Sequence, residues 1–219
     1  MNKENKKDFR ISLGLLAAFL LWTGMVCLVD VQQIGPRGSA VGLAAINRLF
    51  HNFTGIHMSV YVITDWLSLV PLMVVLGFGV LGLAQWIRRK HLFLVDYSIL
   101  VLGGFYAVVA AVFALFEVAA VNYRPVLIDG VLEASYPSST TMLVLCVMPT
   151  AWMQLKARIQ SRILSRCAAA AIAGFTGFMV IGRLISGVHW LSDIIAGILL
   201  SAGLVLLYRA VIRLKPGSR

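Results

Sequence analysis

Gly182-Arg183-Leu184-Ile185-Ser186-Gly187-Val188-His189-Trp190-Leu191-Ser192-Asp193 holds three ionisable side chains, and from Ile194 to Tyr208 the chain then carries no charge at all. A membrane helix needs roughly 20 mostly apolar residues, and the stretch from 189 to 212 meets that need. Arg183, His189 and Asp193 therefore sit in or beside a membrane span, where ionisable groups are costly and face a partner or a watery cavity. Reading outward, further apolar stretches run over 11–29, 60–87, 92–121, 138–155 and 165–183, so the expected fold is an all-α, six-span polytopic membrane protein in one domain, 1–219. The second and third spans are long enough to tilt or to project beyond the hydrocarbon.

Composition agrees. The 219 residues are 60% hydrophobic and 13% charged, against about a quarter charged in a soluble domain, which excludes a water-soluble bundle, a disordered tail and a collagen-like repeat. A net charge of +10 would point to nucleic acid in a soluble protein, but here the basic residues fall in short runs between apolar spans and read as topology signals; no nucleic-acid partner is expected. Cys27, Cys146 and Cys167 lie in apolar stretches, are odd in number and lack metal-ligand spacing, so they read as small hydrophobes.

Lys and Arg set the orientation, because short cytoplasmic loops retain them. Lys3, Lys6, Lys7 and Arg10 precede span one; Arg88, Arg89 and Lys90 follow span two; Lys156, Arg158, Arg162 and Arg166 join spans four and five; and Arg209, Arg213, Lys215 and Arg219 surround the C-terminus. Fifteen of the nineteen basic residues thus fall on one side, read as the inside, with both termini there and 1–10 as a cytoplasmic tail. Arg37, Arg48, Arg124 and Arg183 remain outside and need a reason. The N-terminal run resembles a signal peptide but lacks a small-x-small cleavage site, so it reads as an uncleaved anchor in the cell membrane. Between spans one and two, 40–53 places Ile46, Leu49, Phe50 and Phe53 on one helical face and Asn47, Arg48 and Asn52 on the other, the pattern of an interfacial helix or an amphipathic connector. Ala169, Ala173 and Gly177 read as helix packing.

The spacing around span six supplies chemistry. His189 and Asp193 are four apart, so on a helix the carboxylate accepts a hydrogen bond from one imidazole nitrogen and leaves the other as an oriented base or nucleophile. Arg183 ends span five, and the Ser186-Gly187 turn brings its guanidinium fork beside the imidazole, a phosphate site in outline. The outer loop adds Asn122-Tyr123-Arg124-Pro125 and Tyr136-Pro137-Ser138-Ser139-Thr140-Thr141. There Arg124 offers a second fork, and Ser138, Ser139 and Thr140 open span four, where hydroxyls and free N–H groups favour an anion. Segments 122–141 and 182–193 both fall on the outer face.

These three pieces, in this order, resemble the type 2 phosphatidic acid phosphatase (PAP2) superfamily, whose pattern is K-x6-R-P, then P-S-G-H, then S-R-x5-H-x3-D. Arg183, His189 and Asp193 match the third motif, with Gly182 in place of Ser; Arg124 and Pro125 remain of the first, Pro137 and Ser138 of the second. The resemblance implies a lipid phosphatase needing no metal or cofactor, with His189 attacking phosphorus, Asp193 orienting it, and Arg124, Arg183 and Ser138 cradling the phosphate. The chain departs from the family twice: Glu117 stands where the family has Lys, and Thr140 where it has the His that protonates the leaving group. Glu117 either pairs with Arg124 or Arg183, or serves as the acid itself. A missing acid matters least for a leaving group that is already a stable anion, so the expected substrate is a lipid diphosphate such as a polyprenyl diphosphate, ahead of a phosphatidate-type monoester. The rivals are a PAP2-like protein that binds or moves a phosphorylated lipid without catalysis, a lipid phosphotransferase, and a small transporter with a His/Asp proton relay. The last predicts polar residues deep in several spans, which outside Glu117 and the third motif read as nearly bare. Asp129, Glu133, His51 and His57 read as solvated loop, with His57 worth screening as a substitute proton donor, and Tyr123, Tyr136 and Trp190 as an aromatic belt.

Overall fold

The computed structural model describes residues 3–214, which form helices joined by loops, with isolated bridges but no strand among them. The helices are α1 (Lys3–Leu28), α2 (Ala44–Thr54), α3 (Met58–Leu67), α4 (Leu69–Arg89), α5 (Tyr97–Ala119), α6 (Ser139–Lys156), α7 (Arg162–Ile185) and α8 (Leu191–Ile212). Five stretches are long and apolar enough to cross a membrane: α1, the α3–α4 run, α5, α7 and α8.

The expected fourth span, α6, has the length and lacks the apolarity. Its Thr140, Thr141, Thr150 and Gln154 are buried, as are more than half of its residues, because it packs against α4, α5, α7 and α8 and so faces protein rather than lipid. The six-span expectation thus meets five helices that qualify by length and composition, with α6 enclosed among them.

Two other boundaries differ from the sequence reading. The helix α1 begins at Lys3, so residues 3–10, expected as a tail, are its first turns. The apolar run 60–87 breaks at Ser68, whose Oγ donates to the Asp65 carbonyl at 2.6 Å. Pro71, in the first turn of α4, has no N–H to give the Leu67 carbonyl, which favours a break here.

The segment 40–53 does form a helix, α2, with Ile46, Leu49 and Phe53 outward and Asn47 fully inward. Its polar face therefore serves the protein: Asn47 Nδ2 donates to Ser192 Oγ (2.9 Å) while its Oδ1 accepts from Ser192 N (3.1 Å). Tyr136 and Trp190, expected in an interfacial belt, are buried as well; the Tyr136 hydroxyl meets Thr23 Oγ1 at 2.7 Å and Trp190 Nε1 donates to the Tyr123 carbonyl at 2.8 Å.

The chain's two ends run antiparallel. Ser12 Oγ donates to the Gly203 carbonyl at 2.8 Å, and Asp8 near the start of α1 accepts from Arg209 Nε (2.8 Å) and Arg213 Nη1 (2.9 Å) at the end of α8. Arg89 and Arg158 reach Asp96 at the same end, where Tyr97 OH bonds the Val211 carbonyl at 3.3 Å. The basic runs thus gather at one end of the bundle and the loops bearing 122–141 and 182–193 at the other; Lys215 and Arg219 lie outside the described residues.

Candidate functional site

At the loop end, α7 stops at Ile185 and the chain turns through Gly187, whose φ is +72°. A Cβ there would stand 2.1 Å from the Gly55 carbonyl oxygen, so only glycine lets the turn press against the α2–α3 connection, where His57 N also donates to the Ser186 carbonyl at 2.9 Å. This tight turn carries His189 back over Arg183, as the spacing predicts.

His189 itself precedes the helix. Trp190 caps α8, and Asp193 Oδ2 accepts the Trp190 N–H at 3.0 Å. Its other oxygen accepts from Asn122 Nδ2 (3.0 Å) and Ser192 Oγ (3.3 Å). With its lone pairs so engaged, Asp193 stands 3.9 Å from His189 Nδ1, while the Ser135 carbonyl lies closer at 3.2 Å. The one-turn helical pair expected from the i, i+4 spacing is therefore replaced by an imidazole held at Nδ1 by a backbone carbonyl, with the carboxylate behind. A proton on Nδ1 leaves Nε2 as the lone-pair nitrogen, and Nε2 is buried without a partner. Burial lowers the imidazole to about 4, the Arg124 and Arg183 charges acting in the same direction and the Asp193 carboxylate against it. The ring is thus neutral, the form a nucleophile needs.

The two arginines converge on one aromatic ring. Their guanidinium carbons lie 4.9 Å (Arg183) and 5.8 Å (Arg124) from the Tyr61 centroid. Arg183 is almost fully buried, and its Nη2 donates to Asp65 Oδ1 (2.8 Å) and Thr140 Oγ1 (2.6 Å); its Nε and Nη1 have no partner. Arg124 sits in the 122–135 hairpin loop, its N–H donating to the Glu133 carbonyl (3.0 Å) and its Nε 2.9 Å from Glu133 Oε2, while its Nη1 is buried and unpartnered. Ser138 caps α6 in backbone position, yet its Oγ makes no cap bond and is a further buried orphan; its N–H donates to the Asp193 carbonyl at 3.1 Å, fastening the starts of α6 and α8 together. Buried polar atoms without partners are rare in native proteins. Here Arg124, Arg183, Ser138 and His189 contribute them on neighbouring elements at one end of the bundle, an arrangement chemically able to receive an anion.

The structure thus brings His189, Asp193, Arg183, Arg124, Ser138 and Thr140 together, with Ser139 beside them on the first turn of α6. Glu117 is exposed on α5 and joins Ser139 and Tyr136 around a small recess; it pairs with neither arginine, since Glu133 and Asp65 hold those places. Glu133 is therefore an ion-pair partner rather than a free loop charge. The ring of His57 lies against the Thr54 carbonyl at 2.9 Å, and His51 stacks near Trp190 with centroids 5.4 Å apart.

Sequence reasoning missed Asp65, Tyr61, Asn47 and Asn122. Asp65 was the most findable, being a lone carboxylate inside a long apolar run. It also corrects the view that the spans are bare apart from Glu117 and the third motif. Gly182, where the family pattern has Ser, gains a reason as well: a Cβ there would lie 2.7 Å from Thr64 Cγ2, so the glycine admits α3 close enough for Asp65 to reach Arg183.

Fold and site together define a multi-pass helical membrane protein with a cluster of buried polar side chains at its loop end. Residues 115–215 match the model of the PAP2 superfamily, a region spanning Glu117, Arg124, Ser138, Arg183, His189 and Asp193. The fold resembles the crystal structure of a transmembrane PAP2 type phosphatidylglycerolphosphate phosphatase from Bacillus subtilis, at 15% identity and a TM-score of 0.62 over 95% of this chain and 98% of that one. The family-model match bears out the PAP2 resemblance over that region, and the structural likeness bears on the fold. No curated protein matches the sequence.

Proposed function

We propose that this chain is a membrane lipid phosphatase, which removes a terminal phosphate from an amphiphilic lipid through a phosphohistidine on His189 Nε2. The observation that carries the reading is the set of buried, unpartnered atoms on Arg124, Arg183, Ser138 and His189: two guanidinium groups and a hydroxyl beside one lone-pair nitrogen match a phosphoryl group under attack. In this reading Asp193 and the Ser135 carbonyl hold the ring, the arginines and the α6 N-terminus neutralise the equatorial oxygens without a metal, and water later hydrolyses the N–P bond. The positive-inside distribution supports six spans with both termini inside, which puts the site on the outer side of the cell membrane. The Bacillus protein acts, by its name, on a phosphorylated phospholipid, which supports the same broad substrate class.

A cleft of about 430 Å³ supports sideways entry of the lipid. Asp65, Ser68, Ser139, Thr140 and Tyr106 supply its polar groups, and the other lining residues are apolar, including Leu72, Val109 and Phe113. It shares Val75 and Tyr106 with a second groove of about 520 Å³ between α4 and α5, kept open by Gly79, Gly82, Gly103 and Gly104. Together they form an apolar path beside the site, suited to a long hydrocarbon tail. Thr140 at the family's acid position favours a diphosphate such as a polyprenyl diphosphate, whose leaving phosphate needs no proton, over a phosphatidate-type ester.

Phosphate release by the purified protein from prenyl, glycerol and sphingoid phosphates and from a prenyl diphosphate, with and without EDTA, is the test. Turnover in EDTA that disappears in His189→Ala, with vanadate-sensitive labelling of the wild type, is the expected result. Unchanged turnover in His189→Ala, or saturable lipid binding with no phosphate release from any lipid, overturns the proposal, the latter in favour of a binding protein.

A further inference from the structure

Building on that reading, we infer that Asp65 is the proton donor to the leaving oxygen, taking the place of the acid that the second motif lacks. Three observations converge on it. First, Asp65 and Thr140 bind the same nitrogen: Arg183 Nη2 reaches Asp65 Oδ1 at 2.8 Å and Thr140 Oγ1 at 2.6 Å. The carboxylate is therefore a direct neighbour of the position at which the motif's acid is absent. Second, Asp65 lines the lipid cleft together with Ser139 and Thr140. A lipid with its phosphate among the free Arg183, Arg124 and Ser138 donors and its tail in that cleft places the bridging oxygen where the two spaces join, beside Asp65. Third, the Asp65 side chain is 56% exposed although its partner Arg183 is 1% exposed; the carboxylate is tethered at one oxygen and open at the rest.

The other groups of the region do not offer the same service. Thr140 presents an alkyl hydroxyl that already accepts from Arg183. Glu117 lies around a different recess. His57 is bound to the Thr54 carbonyl, and Glu133, paired to Arg124, does not line the lipid cleft.

The proton accounting closes. An arriving phosphate monoanion competes with Asp65 for Arg183 and hands its proton to the displaced carboxylate, which relieves the repulsion between the two anions. The His189 Nε2 lone pair forms the N–P bond as the P–O bond to the lipid breaks with its electron pair going to oxygen. Asp65 gives that oxygen the proton, and the alcohol departs along the cleft. Water then attacks phosphorus, the N–P pair returns to Nε2, and Asp65 accepts the water proton, which leaves with the phosphate monoanion as Asp65 re-pairs with Arg183. The sum is ester plus water to alcohol plus phosphate. A diphosphate, whose leaving group is a stable anion, depends much less on this donor, so Asp65 widens the substrate range to monoesters.

The test compares a prenyl monophosphate with the diphosphate of the same alcohol in wild type, Asp65→Asn and Asp65→Glu. Asparagine keeps an oxygen for Arg183 and removes the transferable proton, so the monophosphate-to-diphosphate rate ratio is expected to fall about 100-fold or more, with partial recovery in the glutamate variant. Equal losses on both substrates would make Asp65 a positioning residue for Arg183, and an unchanged ratio would remove it from the chemistry; either overturns the inference. If Asp65→Asn fails to fold, the wild type decides: rates across alkyl and aryl phosphates that depend weakly on leaving-group acidity support a donor, and a steep dependence overturns one. Activity that survives in His189→Ala instead strikes the phosphatase reading itself.

Discussion

Ser138 offers a clean test of whether a helix-terminal hydroxyl serves the fold or the proposed phosphate site. A serine at a helix N-terminus ordinarily accepts from a backbone N–H, and Ser138 does not. Its Oγ is fully buried and makes no hydrogen bond to another protein group. Ser138→Ala therefore costs the fold little, since no protein hydrogen bond is lost, yet removes a donor to a charged phosphate, a bond of about 1.5–3 kcal/mol. The expected outcome is a 10- to 100-fold lower kcat/KM with thermal unfolding in detergent shifted by about a degree or less, and a large loss of stability with full activity would contradict it. His189, Arg183 and Arg124 were legible because a motif spells them out at fixed intervals. Asp65, Asn47 and Asn122 were not, because each reaches its partner across 71 to 145 positions of chain, and a single sequence carries no sign of such pairings. Asn122 shows the limit well: it stands beside Arg124 in the quoted loop, yet its work is to hold Asp193.

Among the elements, α3 sets the distance between the tail cleft and the phosphate site. It rests on α7 at Gly182, where a Cβ would lie 2.7 Å from Thr64 Cγ2, and it ends at Leu67, one residue before α4 begins. Gly182→Ser, which restores the common family residue, should therefore be harmful in this chain. It forces α3 outward and lengthens the Asp65–Arg183 contact, with an expected destabilisation of about 1–3 kcal/mol typical of overpacking. Thermal unfolding and turnover of the variant check this, and a variant as stable and active as the wild type would show that α3 yields freely. Helix α2 teaches a related lesson about period and face. Its amphipathic pattern was legible, but the sense of the pattern inverts in a membrane: the apolar face turns to the surroundings and Asn47 turns to Ser192.

For the whole molecule, hydropathy carried most of the architecture because lipid-facing helices must be apolar all along. The same physics explains the shortfall at α6, whose surroundings are other helices. The basic runs sort to one end of the bundle and the nest of orphan donors to the other, so the charge pattern and the motifs divide the chain consistently. The enclosed character of α6 bears on how the protein is made. A segment with Thr140, Thr141, Gln154 and a proline at 149 gains little by partitioning into hydrocarbon on its own; Ser98 and Tyr106 of α5 partner Gln154 and Thr150, but the bonds of Thr140 to Arg183 and of Gln154 to Tyr208 need later helices. Nascent chains cut after α6 should leave it outside the bilayer, and chains extended through α8 should bring it in, as read by a glycosylation tag placed just beyond α6; integration of the shorter chain would refute this. Biogenesis of the proposed pocket is then a late, collective event: the ribosome must finish nearly the entire polypeptide before the histidine and its serine neighbour can meet.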